Sequence, residues 1–211
     1  MQGIRQTYLD TAAAARPVLA HKEVARRWND PSVLQEFTMR GLAGHLVRAV
    51  GSTVAYLDRP EPDGPPIDAV AYYAQAVDTS DVSAPLNVAV RERGEAEAQE
   101  GHAALVERFD RLSSELEQRL QDEPPSRKMS VYRDMEILLD EYLITRVVEL
   151  LVHTDDLASS IGIPTPTPSA GAANVAITNL VSVARRRHGD TAVLRALARR
   201  ERDNVDALRV I

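Results

Sequence analysis

A chain of 211 residues, 44% hydrophobic and 27% charged, is sized for one folded domain or one domain with an appendage. Without cysteine it has no disulfide, no thiolate metal ligand and no cysteine nucleophile; no apolar run approaches the ~18 residues of a membrane span. The start of the chain lacks the basic-then-apolar pattern of a signal peptide, so the cytoplasm is the expected compartment. The net charge of −6 argues against a general nucleic-acid binder. The charge is uneven, because Arg185 to Ile211 carries eight arginines against four acids. Such a basic end reads as a solvated helix face or as a docking surface for an acidic partner.

Three proline-containing stretches punctuate the chain: Arg59 to Pro66, Asp122 to Ser126 and Ile163 to Pro168. Between them the apolar spacing is helical, with no sustained strand alternation. The first helical segment is expected from about Gln2 to Trp28, interrupted near Pro17. Pro31 to Leu34 reads as a short helical turn. A second helix starts with Thr38 as its N-cap and runs to about Leu57, with Leu42, His45, Leu46, Ala49 and Thr53 on its inner face. Ile67 to Asp81 reads as a shorter helix and a loop. A charged third helix is expected from Pro85 to Gln121, with Leu86, Val90, Leu105, Phe109, Leu112, Leu116 and Leu120 as its core stripe. The fourth covers Tyr132 to Ile161 and stops at Gly162 and Pro164. Two further helices, Ser169 to His188 and Asp190 to Glu201, precede a tail from Ala207 read as short strand or coil. Four long helices joined by a crossover predict an all-α antiparallel four-helix bundle over residues 1–162. Residues 163–211 are expected to form a helical extension packed on that bundle.

The fourth helix carries the chemistry. It is apolar on nearly every side, which marks a buried helix. Yet Glu141, Thr145, Glu149, His153 and Asp156 follow one another at steps of 4, 4, 4 and 3, a single polar stripe. A buried carboxylate without a partner costs several kcal/mol, roughly, even after relaxation. Glu149 and His153 lie one turn apart on one face, and a divalent cation would satisfy both. His45, unexpected on the apolar face of the second helix, is the candidate third ligand. Two histidines and one carboxylate leave a position open for water or substrate, the pattern of a catalytic rather than a structural zinc. The spacing leaves an alternative: Arg146 pairs with Glu149, and both histidines are ordinary core residues. His21, His102 and His188 read as structural or exposed.

The stretch Phe37-Thr38-Met39-Arg40-Gly41-Leu42-Ala43-Gly44-His45-Leu46 resembles the motif Trp-Thr-Val-Arg-Asp-Leu-Val-x-His-Leu. That motif belongs to the mycothiol-dependent maleylpyruvate isomerase N-terminal domain family, within the DinB-like superfamily of metal-binding four-helix bundles. The stretch from Arg146 to Leu157 resembles the family's second motif, Arg-x-x-Glu-x-x-x-His-x-x-Asp-Leu. Trp28, Pro31, Ser32 and Gly162 also fit. The resemblance covers Met1 to Gly162. It implies a divalent metal, usually zinc, on His45, Glu149 and His153. Phe37 stands where the motif has tryptophan and Gly41 where it has aspartate. The family's isomerases carry a separate α/β C-terminal domain, whereas the residues after Gly162 here read as helices.

The resemblance implies an enzyme that uses a small-molecule thiol, mycothiol, for S-transfer or cis–trans isomerisation of an electrophile. Asp156 and Arg146 would then stand behind the ligands, with Arg91 and Arg93 as candidates for binding substrate. The other expectation is a non-enzymatic bundle that binds a ligand or partner and keeps a structural or vestigial metal site. The expected partners are the thiol and its electrophile, and a second copy of the chain in a homodimer, with no nucleic acid and no membrane.

Overall fold

The chain is seen here as a computed structural model that describes residues 3–76, 83–198, 201 and 205–210. Its helices are α1 (Ile4–Leu19), α2 (Lys22–Arg26), α3 (Met39–Leu57), α4 (Ala69–Ala76), α5 (Pro85–Glu97) and α6 (His102–Asp122). A small hairpin follows, β1 (Lys128–Ser130) and β2 (Glu136–Leu138), then α7 (Leu139–Ile161), α8 (Ala170–His188) and α9 (Asp190–Ala198). The bundle is built from α1, α7, α3 and α6, each packing on the next and α6 closing back on α1. Tyr8, Leu42, Leu46, Phe109, Leu116, Leu143 and Val147 meet in its core, all essentially fully buried. This is the expected all-α four-helix bundle, with additional helices after it. α5 lies along α3, and α8 packs on α4, α7 and α1. Among the described residues, no helix is long and apolar enough to cross a membrane.

The local chemistry sets the element ends. Thr38 caps α3, its hydroxyl accepting from the Gly41 amide at 2.9 Å. α1 continues through Pro17 but stops at Leu19; the restart comes at His21, whose Nδ1 accepts from the Glu23 amide and caps α2. Gly162 ends α7 in the left-handed conformation at φ 71°, with Ile163 N–H donating to the Ala158 carbonyl and Gly162 N–H to that of Ser159. That bond pair satisfies carbonyls that would otherwise face no donor.

Four expectations change. Pro31 to Leu34 is a turn rather than a helix, closed by a bridge between Pro31 and Thr38. The expected third helix is two, α5 and α6, separated at Gly101, whose φ of 93° suits glycine. The break lets α5 lie flat on α3 while α6 takes its place in the bundle. The fourth helix starts at Leu139, not Tyr132, because residues 128–138 form the hairpin. Its tight turn places Arg133 and Asp134 at φ 57° and 55°, the twist that two antiparallel strands need. The tail includes a 3-10 turn at Val205–Leu208 rather than a strand. The starts and ends that fall on Gln2, the loop at 77–82 and residues 199–200 lie outside the described residues.

Gly94 explains how close α5 comes to α3. A Cβ on Gly44 would stand 2.0 Å from the Gly94 carbonyl oxygen, and one on Gly94 would stand 2.4 Å from the Gly41 carbonyl oxygen. Two backbones touch here, which only glycine allows. Gly41 has a second reason. A side chain there would meet the Glu95 carboxylate at 2.7 Å. Glu95 instead brings its own carboxylate to the start of α3, where it takes a hydrogen bond from Thr38 and pairs with Arg40.

Candidate metal centre

The polar stripe of α7 has a partner at every step. Glu141 accepts from the Ala69 amide at 2.9 Å and so caps α4. The Thr145 hydroxyl donates to the Tyr142 carbonyl at 2.6 Å and accepts from Arg146 Nε at 3.0 Å. Glu149 faces His45 across the α3–α7 contact and His153 along its own helix. Asp156 lies 3.0 Å from His153 Nδ1. The stripe is therefore the surface on which α3 and α4 are docked.

The geometry converges on one oxygen. Glu149 Oε2 is 3.5 Å from His45 Nε2 and 3.4 Å from His153 Nε2. The three donor atoms lie within 4.8 Å of one another. These separations are too long for good hydrogen bonds, which fall at roughly 2.7–3.2 Å. They match the edge of a tetrahedron with ligand bonds of about 2.0–2.1 Å, which is about 3.4 Å. Asp156 occupies the other nitrogen of His153, leaving Nε2 for an ion, the usual carboxylate–histidine–metal chain. The donor set thus fits a divalent cation. The Phe37 ring lies 6.0 Å from that of His45 and packs beside it. His45 Nδ1 is buried without a hydrogen-bond partner.

Electrostatics keep the carboxylate charged. Burial alone would raise the Glu149 pKa, but the facing His153 and His45 imidazoles and the Arg146 charge hold it well below the usual range. Burial would likewise lower His153, yet Asp156 and Glu149 raise it to about 9. Burial and the neighbouring His153 push His45 below its ordinary value. Without a metal, Glu149 is thus held as an anion and His153 keeps its proton at neutral pH.

Arg146 does not pair with Glu149 within 4.0 Å, contrary to the alternative left open by spacing. Its guanidinium sits 4.7 Å over the Tyr142 ring and it stays charged. It lines a cavity of about 210 Å³ together with His45, Glu149, Arg48, Arg93 and a wall of tyrosines. Arg91 is not among the lining residues. His102 is structural: its Nε2 meets the Leu19 carbonyl at 2.8 Å and its ring stacks edge-on against Trp28.

The sequence reading missed Arg48, Ser52, Tyr56, Tyr72, Tyr73 and Tyr142. Spacing could have found some of them, since His45, Arg48, Ser52 and Tyr56 share one face of α3. Tyr73 had no such signal. Its hydroxyl lies 3.1 Å from Glu149 Oε1 and 3.1 Å from the Thr145 carbonyl oxygen, sharing its proton between them. Burial and the Glu149 charge push this phenol well above its ordinary pKa, so it remains a donor.

The family model for the mycothiol maleylpyruvate isomerase N-terminal domain matches residues 9–158. The chain belongs to that family. The matched span contains His45, Glu149 and His153. The fold is also similar to the crystal structure of the mycothiol-dependent maleylpyruvate isomerase, with a TM-score of 0.54 at 13% identity. That similarity covers 91% of this chain and 75% of the other, so it reaches past Gly162. No curated protein sequence matches the chain significantly.

Proposed function

We propose that the protein is a divalent-metal enzyme, with zinc as the expected ion, that uses mycothiol to attack a small electrophile. The observation that carries this reading is the convergence of both imidazoles on one Glu149 oxygen, at 3.5 and 3.4 Å, beside a cavity lined by arginines. His45, Glu149 and His153 would hold the ion. Bound there, it would keep a thiol as its thiolate at neutral pH.

The chain's own residues do the rest. Asp156 fixes the His153 ring, and His153, His45 and the Arg146 charge together keep Glu149 ionised. Arg146, Arg93 and Arg48 give the cavity a positive field that attracts and orients an anionic electrophile. Tyr56, Tyr72 and Tyr142 wall the cavity with ring faces and limit water. Two outcomes are open to a thiolate that adds to an activated carbon. In S-transfer the C–S bond is kept, the π pair it displaces moves to the neighbouring carbon, and that carbon takes a proton from solvent. In isomerisation the adduct rotates about the former double bond and the C–S bond breaks again.

Mycothiol is incubated with maleylpyruvate and with a thiol-reactive electrophile, using zinc-loaded protein and His45→Ala. Turnover by wild type and none by the variant is the expected result. A wild type that binds one ion per chain and turns over neither substrate would instead support a structural metal in a binding protein. A wild type that takes up no ion would overturn the metal reading itself.

A further inference from the structure

The two oxygens of Glu149 have different partners. Oε2 is the atom that both imidazoles face, at 3.5 and 3.4 Å. Oε1 turns the other way, to the Tyr73 hydroxyl at 3.1 Å. Tyr73 is fully buried and packs edge-on against Tyr72, so its ring has nowhere to swing. The helix that carries it is fastened at several points. At its start, Asp68 Oδ1 accepts from the Ala71 amide at 2.6 Å and Glu141 accepts from that of Ala69. Further along, Arg187 of α8 donates to the Tyr73 carbonyl at 2.9 Å. The phenol therefore reaches Glu149 from a braced helix.

We propose that Tyr73 is a positioning residue that makes Glu149 a one-oxygen ligand, keeping Oε1 on the phenol and Oε2 for the ion. The proposal rests on the reading of the cluster as a metal site. A carboxylate with both oxygens unrestrained can rotate, chelate through both, or swing towards Arg146. The phenol removes those options and sets which lone pairs point at the two histidines. Loss of a hydrogen-bond partner behind a ligand typically weakens metal binding by about 10–100-fold.

The test is zinc affinity by chelator competition for wild type, Tyr73→Phe and Tyr8→Phe, with metal-free melting temperatures measured alongside. Tyr73→Phe is expected to bind about 10–100-fold more weakly. Tyr8→Phe, whose buried hydroxyl bonds the Ala49 carbonyl and not Glu149, is expected to match the wild-type affinity. A merely structural tyrosine would lower the metal-free melting temperature and leave the affinity of the folded protein unchanged, which overturns the proposal. X-ray absorption on zinc-loaded wild type needs no variant. One short carboxylate oxygen at about 2.0–2.2 Å supports the proposal, and two-oxygen chelation overturns it. If wild type binds no zinc at all, the metal reading falls first. If wild type binds and Tyr73→Phe binds equally well, the metal reading stands and this inference alone is lost.

Discussion

Helix α3 makes two contacts that work by opposite means. Against α7 it presents His45 to Glu149 and His153, a contact made of side chains whose charge a ligand or a proton can change. Against α5 it presents Gly41 and Gly44 to Gly94, where bare backbones touch, with the Arg40–Glu95 ion pair at the edge of the contact. His45 belongs to both, since its amide nitrogen would lie 3.3 Å from a Cβ on Gly94. The rigid contact sets the position from which the adjustable one operates. A site that must accept an ion without collapsing needs one fixed wall, and here α5 supplies it.

The adjustable contact breaks most completely with Glu149→Gln, which keeps the shape and removes the charge. Elemental analysis is expected to fall from about one ion per chain to near zero, with the protein still folded.

Proton competition sharpens the same contact. In the metal-free protein Asp156 and Glu149 hold His153 at about 9, so below that pH an incoming ion must displace a proton. Apparent zinc affinity is expected to rise about 100-fold between pH 6 and 8 and to level off near pH 9, measured by competition at each pH. The same raised pKa gives the metal-free fold a stabilisation that is complete below the ordinary histidine value of about 6.5 and lost as pH rises through about 9. Melting of chelator-treated protein should therefore weaken across that window.

The rigid contact breaks with Gly44→Ala, whose Cβ has no room beside the Gly94 carbonyl. Denaturant unfolding is expected to show a loss of about 2–3 kcal/mol. Gly51→Ala on the same helix is the control. Its Cβ would meet the Leu112 side chain at 3.4 Å, and the change is expected to be near neutral. The smallest effect belongs to Thr38→Ala, which removes the cap of α3 and the bond to Glu95. About 1 kcal/mol of stability is expected to go, with metal content unchanged.

The polar stripe of α7 was legible because a buried helix cannot carry Glu149 and His153 without partners, and that constraint is local. His45 was legible for the same reason on α3. Tyr73 was not, because nothing in its own neighbourhood shows which buried carboxylate lies across the fold from it. The hairpin was hidden by Ile137-Leu138-Leu139, an apolar run that suits strand and helix alike. Its turn carries left-handed residues at Arg133 and Asp134, where no glycine announces them. Gly94 and Gly101 lie in one charged stretch of the sequence, which does not distinguish them. One is a point of contact and the other a break, and only the partner helix tells them apart.

Arg187 extends the reach of this arrangement. One of its nitrogens donates to the Tyr73 carbonyl and the other to the Val210 carbonyl at 2.8 Å. A single guanidinium thus clips the segment at Val210 to the helix that carries Tyr73. Whatever lifts Val210 away therefore loosens a bond on α4 as well, and faster amide exchange across α4 is the expected sign of it.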